Sequence, residues 1–243
     1  MKNALTKLQV SFFAVLFSIG FLLRITHLET APKGLQSDEA SFLINTAALL
    51  QTGKDEDNKA FPLYLDSLID SKPALYSYLQ LPFVAVLGPT TQASRLPSAV
   101  LGMISIGLFY LLLLRVFEQP RIALLGATFL NFSPWHIMNS RSTQEVILSF
   151  TLILASLLCA HTLFYKSYTK KHILLFFITT LLAMYVYHSA KIVLLLFYVG
   201  VVVFVFLRHS VSAAAYLDVK LTSNQKKSLV LIFLSVLLSF VLT

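Results

Sequence analysis

The sequence predicts an all-α polytopic membrane protein with about seven transmembrane helices and a large first loop on the outer side. Three observations predict it: composition, the spacing of apolar runs and the placement of charge. Of 243 residues, 57% are hydrophobic and 12% charged, with a mean hydropathy of +0.77, whereas soluble domains carry about 25% charged residues. A spanning helix needs roughly 20 mostly apolar residues, and several windows meet or approach that length. The single Cys159 allows no intrachain disulfide and reads as a small buried hydrophobe.

Taken in order, the segments run from Leu8 to Leu28, Leu96 to Leu114, Ile122 to Met138, Val146 to Phe164, Ile173 to Tyr187, Ile192 to Leu207 and Leu229 to Thr243. The first is too long an apolar run for a cleavable leader, and no small-residue cleavage site follows it. The last has 15 residues, about 22 Å at 1.5 Å per residue against a core of roughly 30 Å, so the chain is expected to be cut within a helix. With the N-terminus in the cytoplasm, the inner segments hold eleven Lys and Arg, among them Lys7, Arg115, Arg121, Lys170 and Lys227, against Glu118 and Asp218. The outer segments hold eight basic and nine acidic residues. The formal charge of +8 is therefore a topology signal under the positive-inside rule rather than a nucleic-acid footprint, which needs clustering on one face.

The first outer loop, residues 29–95, reads as an ordered insertion within a single domain of residues 1–243. "DEASFLINTAALLQTGKDED" has Phe42, Leu43, Thr46, Leu49 and Leu50 on one side of a helix, with Ser37 as its cap and Gly53 as its end. "KPALYSYLQLPFVAVLG" starts a second helix at Pro73 and carries an internal Pro82. As a full span it would invert the charge bias of every later loop. It is therefore laid along the outer interface, with Tyr76 and Tyr78 at headgroup level.

Asp38 and Glu39 open the first loop helix. Adjacent helical positions face different ways, so the two do not share a proton; one points toward a site and the other caps the helix or meets solvent. Without more context both read as helix-terminal carboxylates stabilised by the macrodipole. Asp55, Glu56 and Asp57 form a solvated turn, since "DEDN" lacks the glycine and later glutamate of a calcium loop. No histidine pair has zinc spacing, and His27, His161, His172 and His209 read as interfacial.

Arg24, then "GLQSDEA", "KPALYSYL", "LGPTTQASRLPSAVLG", "SPWHIMNSR" and "YVYHSAK" resemble, in order and spacing, the polyprenyl-phosphate-sugar-dependent glycosyltransferases of the GT-C fold. The nearest group is the glycosyltransferase family 39-like set that includes protein O-mannosyltransferases and the lipid A aminoarabinose transferase. The resemblance covers Arg24 to Lys191 and implies a GT-C-like fold, of which this chain would be the N-terminal portion. It implies transfer of mannose or another hexose to an acceptor on the outer face of a membrane, which we expect to be the bacterial plasma membrane. By the same resemblance Asp38, with Glu39 beside it, is the catalytic carboxylate. Lys72, Arg141 and Lys191 bind the lipid phosphate, and Tyr76, Tyr78, His136, Tyr187 and His188 line the substrate cavity.

The chemistry gives each role a reason. A lipid phosphate is a good leaving group, so a general acid is unnecessary, whereas a base must take the acceptor's proton as it attacks C1 from the opposite face. Inversion follows. The departing phosphate needs cations in a partly desolvated site. Lysine at 191, where the family often has arginine, neutralises phosphate without a bidentate grip. Ser71, preceded by Asp70, stands where the aminoarabinose group has glutamate, which puts that sugar and a second catalytic carboxylate in question. Arg95 reads as an anchor of the second span, Arg24 as an interface anchor and Trp135 as part of an aromatic belt. No cofactor is required; a divalent cation bridging Asp38 and the phosphate is compatible with the residues but not demanded by them. The partners expected are a polyprenyl-phosphate-linked sugar, an acceptor that is protein, lipid or glycan, and the bilayer, with no nucleic acid. A flippase for lipid-linked sugars is the competing reading, and a catalytically silent membrane scaffold or fragment the third.

Overall fold

The computed structural model describes residues 7–66, 71–165, 169–211 and 222–243. Asp70, Asp218 and the expected inner lysines Lys2, Lys166 and Lys220 lie outside them, as does the side chain of Arg208. Among the described residues there are ten helices and one small sheet: α1 (Lys7–Ile25), α2 (Ser37–Thr52), β1 (Tyr64–Asp66), β2 (Ser71–Pro73), α3 (Leu75–Leu87), α4 (Thr91–Phe117), α5 (Pro120–Asn131), α6 (Pro134–Ser140), α7 (Glu145–Tyr165), α8 (Lys170–Val186), α9 (His188–Val211) and α10 (Ser223–Leu242). By length and composition α4, α7 and α10 are able to cross a membrane, and shorter apolar stretches lie at Gln9–Ile25 and His188–Phe204. The chain is thus an all-α membrane protein with three helices of spanning length among the described residues, and the expected apolar segments fall largely on helices.

The third segment departs from expectation: hydropathy predicts one helix over Ile122 to Met138, and two are present. Pro134 at the first turn of α6 has no N–H to give the Leu130 carbonyl, so the ladder breaks at Phe132 and Ser133. This break is used by the fold, because it turns Asn131 and His136 toward α1.

The helices fall into two compact units, Met1–Thr151 and Leu152–Thr243. In the first, Met103 and Ile106 of α4 pack with Ala127 of α5, and Phe13 and Phe17 of α1 lie against them. The loop helices are joined to this core through Leu43 of α2, Val84 of α3 and Ala93 of α4. In the second, the C-terminal part of α7 meets Phe176 and Met184 of α8, Leu194 and Tyr198 of α9, and Ile232 and Val236 of α10. Ser156, Thr180 and Tyr198 are hydrogen-bonded inside that bundle at 2.7 and 3.0 Å, which satisfies hydroxyls that lipid would leave bare.

The loop helices are close to their expected places. The cap of α2 is Gln36, one residue before the expected Ser37, because Glu39 at the third helical position reaches back to the Gln36 N–H and closes a capping box. Gly53 ends α2 at φ 70°, a left-handed conformation that glycine adopts without penalty. Phe42, Leu43, Thr46 and Leu49 face inward, whereas Leu50 is exposed. Helix α3 starts at Leu75, two residues later than expected, since Pro73 is taken up by β2. Its 13 residues cover about 20 Å, too short for a core of roughly 30 Å. The β1–β2 hairpin was not anticipated; its strands pair antiparallel with Leu65 opposite Lys72.

Candidate active site

The first loop is organised by a buried ion pair. The capping box puts the Glu39 carboxylate on the inner side of α2, where it is 0% exposed, and Arg95, one turn into α4, is equally enclosed. Arg95 donates from Nε to Oε1 at 2.9 Å and from Nη2 to Oε2 at 2.8 Å, a two-pronged grip. Its remaining N–H groups go to the main-chain carbonyls of Leu28 at 2.8 Å, Pro32 at 2.9 Å and Gly34 at 2.5 Å, so all five donors are used. Glu39 further accepts from the main-chain N–H of Thr143 at 2.8 Å and of Gln36 at 3.1 Å. One arginine and one glutamate thereby join the end of α1, the start of α2, α4 and the segment before α7.

A second layer of bonds extends this joint. Thr143 and Ser94 exchange hydroxyl contacts at 2.7 Å, Gln80 donates to the Ser94 hydroxyl at 2.9 Å, and Thr46 donates to Gln80 Oε1 at 2.7 Å. Burial by itself pushes the Glu39 carboxyl up, but the bonds from Arg95, Thr143 and Gln36, with the charge of Arg95, outweigh it and hold it below the usual carboxylate range. A depressed folded value stabilises the protein above the unfolded value of about 4.3 and ceases to do so as pH falls through the folded one. Thermal melting in detergent should therefore show the Glu39 contribution intact at neutral pH and lost in acid below about pH 4. Glu39→Gln should already lack it at pH 7.

Asp38, the neighbour of this locked carboxylate, is turned about 100° from it around the helix, to the edge of the buried face on the Phe42 side. Its side chain is 59% exposed and accepts from Lys72 Nζ at 2.5 Å. Lys72 reaches it from β2 with its own side chain only 11% exposed and its ammonium over the Phe42 ring. An accessible carboxylate and a sheltered lysine thus stand in contact within the first loop.

The other expected site residues are distributed differently. Tyr76 and His136, expected at the substrate cavity, are fully enclosed. Tyr76 packs on Phe42, with its hydroxyl 2.5 Å from that of Ser98. Tyr78 donates to the Pro62 carbonyl at 2.8 Å. Arg141 donates to the carbonyls of Leu23 and Ala31, the latter at 2.9 Å, so its guanidinium ties the segment after α6 to the end of α1. In the second unit Tyr187 and His188 are exposed at the α8–α9 junction, and Lys191 donates to the main-chain oxygen of Thr243 at 2.7 Å.

Arg24 is not the interfacial anchor expected of it. It is 0% exposed, donating to the Gly20 carbonyl at 2.8 Å, to Asn131 Oδ1 at 3.1 Å and carbonyl at 2.9 Å, and to His136 Nδ1 at 2.7 Å. Arginine only donates, so Nδ1 is the acceptor and the His136 proton sits on Nε2, 2.8 Å from Ser105 Oγ. Space for this seat comes from Gly20, where a Cβ would meet Asn131 Oδ1 at 1.8 Å. The burial is largely compensated: four acceptors inside the fold take the protons of Nη1 and Nη2, while Nε is buried without a hydrogen-bond partner. No group of three His, Cys, Asp or Glu side chains able to hold a metal occurs among the described residues.

The helical membrane fold thus carries, in its first loop, an open Asp38–Lys72 pair and a buried Glu39–Arg95 pair. The family described as dolichyl-phosphate-mannose-protein mannosyltransferase has a model that matches residues 71–239, more than half of the chain, and the chain belongs to that family. It is accordingly a glycosyltransferase of the mannosyltransferase type, which selects among the readings open from sequence. The match takes in Lys72, Arg95, Arg141 and Lys191 and begins after Asp38 and Glu39. No curated protein and no solved structure matches the chain.

Proposed function

We propose that this protein transfers mannose from a polyprenyl phosphate to an acceptor hydroxyl on the outer side of the membrane, with Asp38 as the base and without a cofactor. The observation that carries the reading is the 2.5 Å contact between the Asp38 carboxylate and the Lys72 ammonium. The pair joins the two charges the reaction needs: an anion to take the acceptor's proton and a cation for the phosphate that leaves. Asp38 is open enough to receive an acceptor, and Lys72 is sheltered enough for its charge to act at short range with little screening. Attack from the Asp38 side, with the phosphate held on the other face of the sugar, inverts C1. In the bond balance, the acceptor oxygen–C1 bond forms as the C1–phosphate oxygen bond breaks, the acceptor proton goes to Asp38 and the electron pair leaves with the phosphate. The positive-inside distribution supports a location of this loop outside the cytoplasm.

The test is transfer from labelled polyprenyl-phosphate mannose, glucose and aminoarabinose in proteoliposomes, with the anomer of the product read by NMR and with chelator present. Mannose should move with inversion and without added metal. Lys72→Met should raise the donor KM about tenfold or more, the scale of a lost charge-assisted contact. Retention at C1, or a donor KM indifferent to Lys72→Met, would refute the assignment.

A further inference from the structure

We infer that Phe42 is a positioning residue for the donor phosphate, its ring holding the Lys72 ammonium in place while Asp38 is engaged with the acceptor. The inference rests on the transferase reading of the Asp38–Lys72 pair. Asp38 and Phe42 are four residues apart on α2 and so lie on one face, one turn from each other. Lys72 Nζ meets both: the Asp38 carboxylate at 2.5 Å and the Phe42 ring, whose centroid lies 5.6 Å away. The ring is fixed, 2% exposed and 5.3 Å from the Tyr76 ring, itself fully buried. The lysine is held too: its backbone lies opposite Leu65 in the hairpin and its side chain is only 11% exposed.

The two holders differ in what they do to the charge. A carboxylate neutralises the ammonium and, once it turns to an acceptor hydroxyl, releases it. A ring face attracts a cation through its quadrupole and leaves the formal charge intact, so Lys72 stays in place and keeps its pull on a phosphate. A second carboxylate at position 42 would compete with the phosphate; an aliphatic side chain would hold the stem and leave the ammonium unplaced. Asp38 alone would seat Lys72 only in the resting site.

Packing and cation–π attraction separate under ring fluorination, which weakens the ring quadrupole with little change of shape. The full chain in proteoliposomes would carry phenylalanine, 4-fluoro-, 3,5-difluoro- or 3,4,5-trifluorophenylalanine at position 42. The donor KM for polyprenyl-phosphate mannose, kcat, the binding of sugar-free polyprenyl phosphate and the melting temperature would be measured for each. Donor KM and phosphate affinity should weaken step by step with fluorine, about three- to tenfold at three fluorines, a change within the cation–π range. The melting temperature should stay level. Phe42→Leu should resemble the trifluoro protein in donor KM and phosphate affinity. Level KM and phosphate affinity across the series overturn the inference, whatever Phe42→Leu does to folding. A wild type that transfers no sugar defeats the transferase reading instead, and the phosphate-binding series still decides whether Phe42 places Lys72.

Discussion

Asp38→Asn is expected to lower kcat by about 10²- to 10⁴-fold, the usual contribution of a positioned base, while the protein inserts, folds and binds its donor. Asparagine keeps the shape and cannot accept the acceptor's proton. The structural cost is small, because an ion pair with one well-exposed partner contributes only about 0–1 kcal/mol. Lys72 meanwhile loses its resting counter-ion and keeps its place against Phe42. The donor KM should therefore stay level or fall as kcat collapses. A fall in kcat with unchanged KM marks an interaction made in the transition state, which sets Asp38 apart from a residue that merely holds the loop.

Arg95→Met should do the reverse, acting on the fold first and on activity through it. The change leaves the Glu39 carboxylate without its cation and strips a donor from the carbonyls of Leu28, Pro32 and Gly34. Breaking one half of a buried pair costs about 3–5 kcal/mol. The loss should appear as a large drop in melting temperature in detergent and as proteolysis of the first loop. Arg95→Lys should rescue little, since one ammonium has three donors and no fork. Removing both partners as Glu39→Leu with Arg95→Met should cost less than the two single changes together, because no unpaired charge remains. Full stability of Arg95→Met would show that the joint does not hold the loop.

These opposite outcomes follow from adjacent carboxylates, and the sequence carried only half of the distinction. Helical geometry was enough to say that Asp38 and Glu39 face apart. Which one is open depends on Arg95, 56 residues further on, and no local pattern states that pairing. A signal was present: an arginine in the apolar run "ASRLPSAVLG" needs a partner, and Glu39 is a buried acid that supplies it. The helical segments were legible because long apolar runs persist through error at their ends. The break at Phe132 and Ser133 was missed, although Pro134 marked it, because hydropathy does not change there. The hairpin escaped because three-residue strands carry too little alternation to read. Arg24 misled for a related reason: at the end of a span, charge alone does not tell snorkelling from burial, and its seat depends on Asn131 and His136.

The measurement that bears most directly on the central claim is sugar transfer by the wild type and Asp38→Asn side by side in proteoliposomes supplied with labelled polyprenyl-phosphate mannose and membrane acceptor. Label should leave the lipid for a new product in the wild type alone, with both proteins binding the donor equally. Equal transfer by both, or label that crosses the bilayer still attached to its lipid in both, would contradict a base at Asp38.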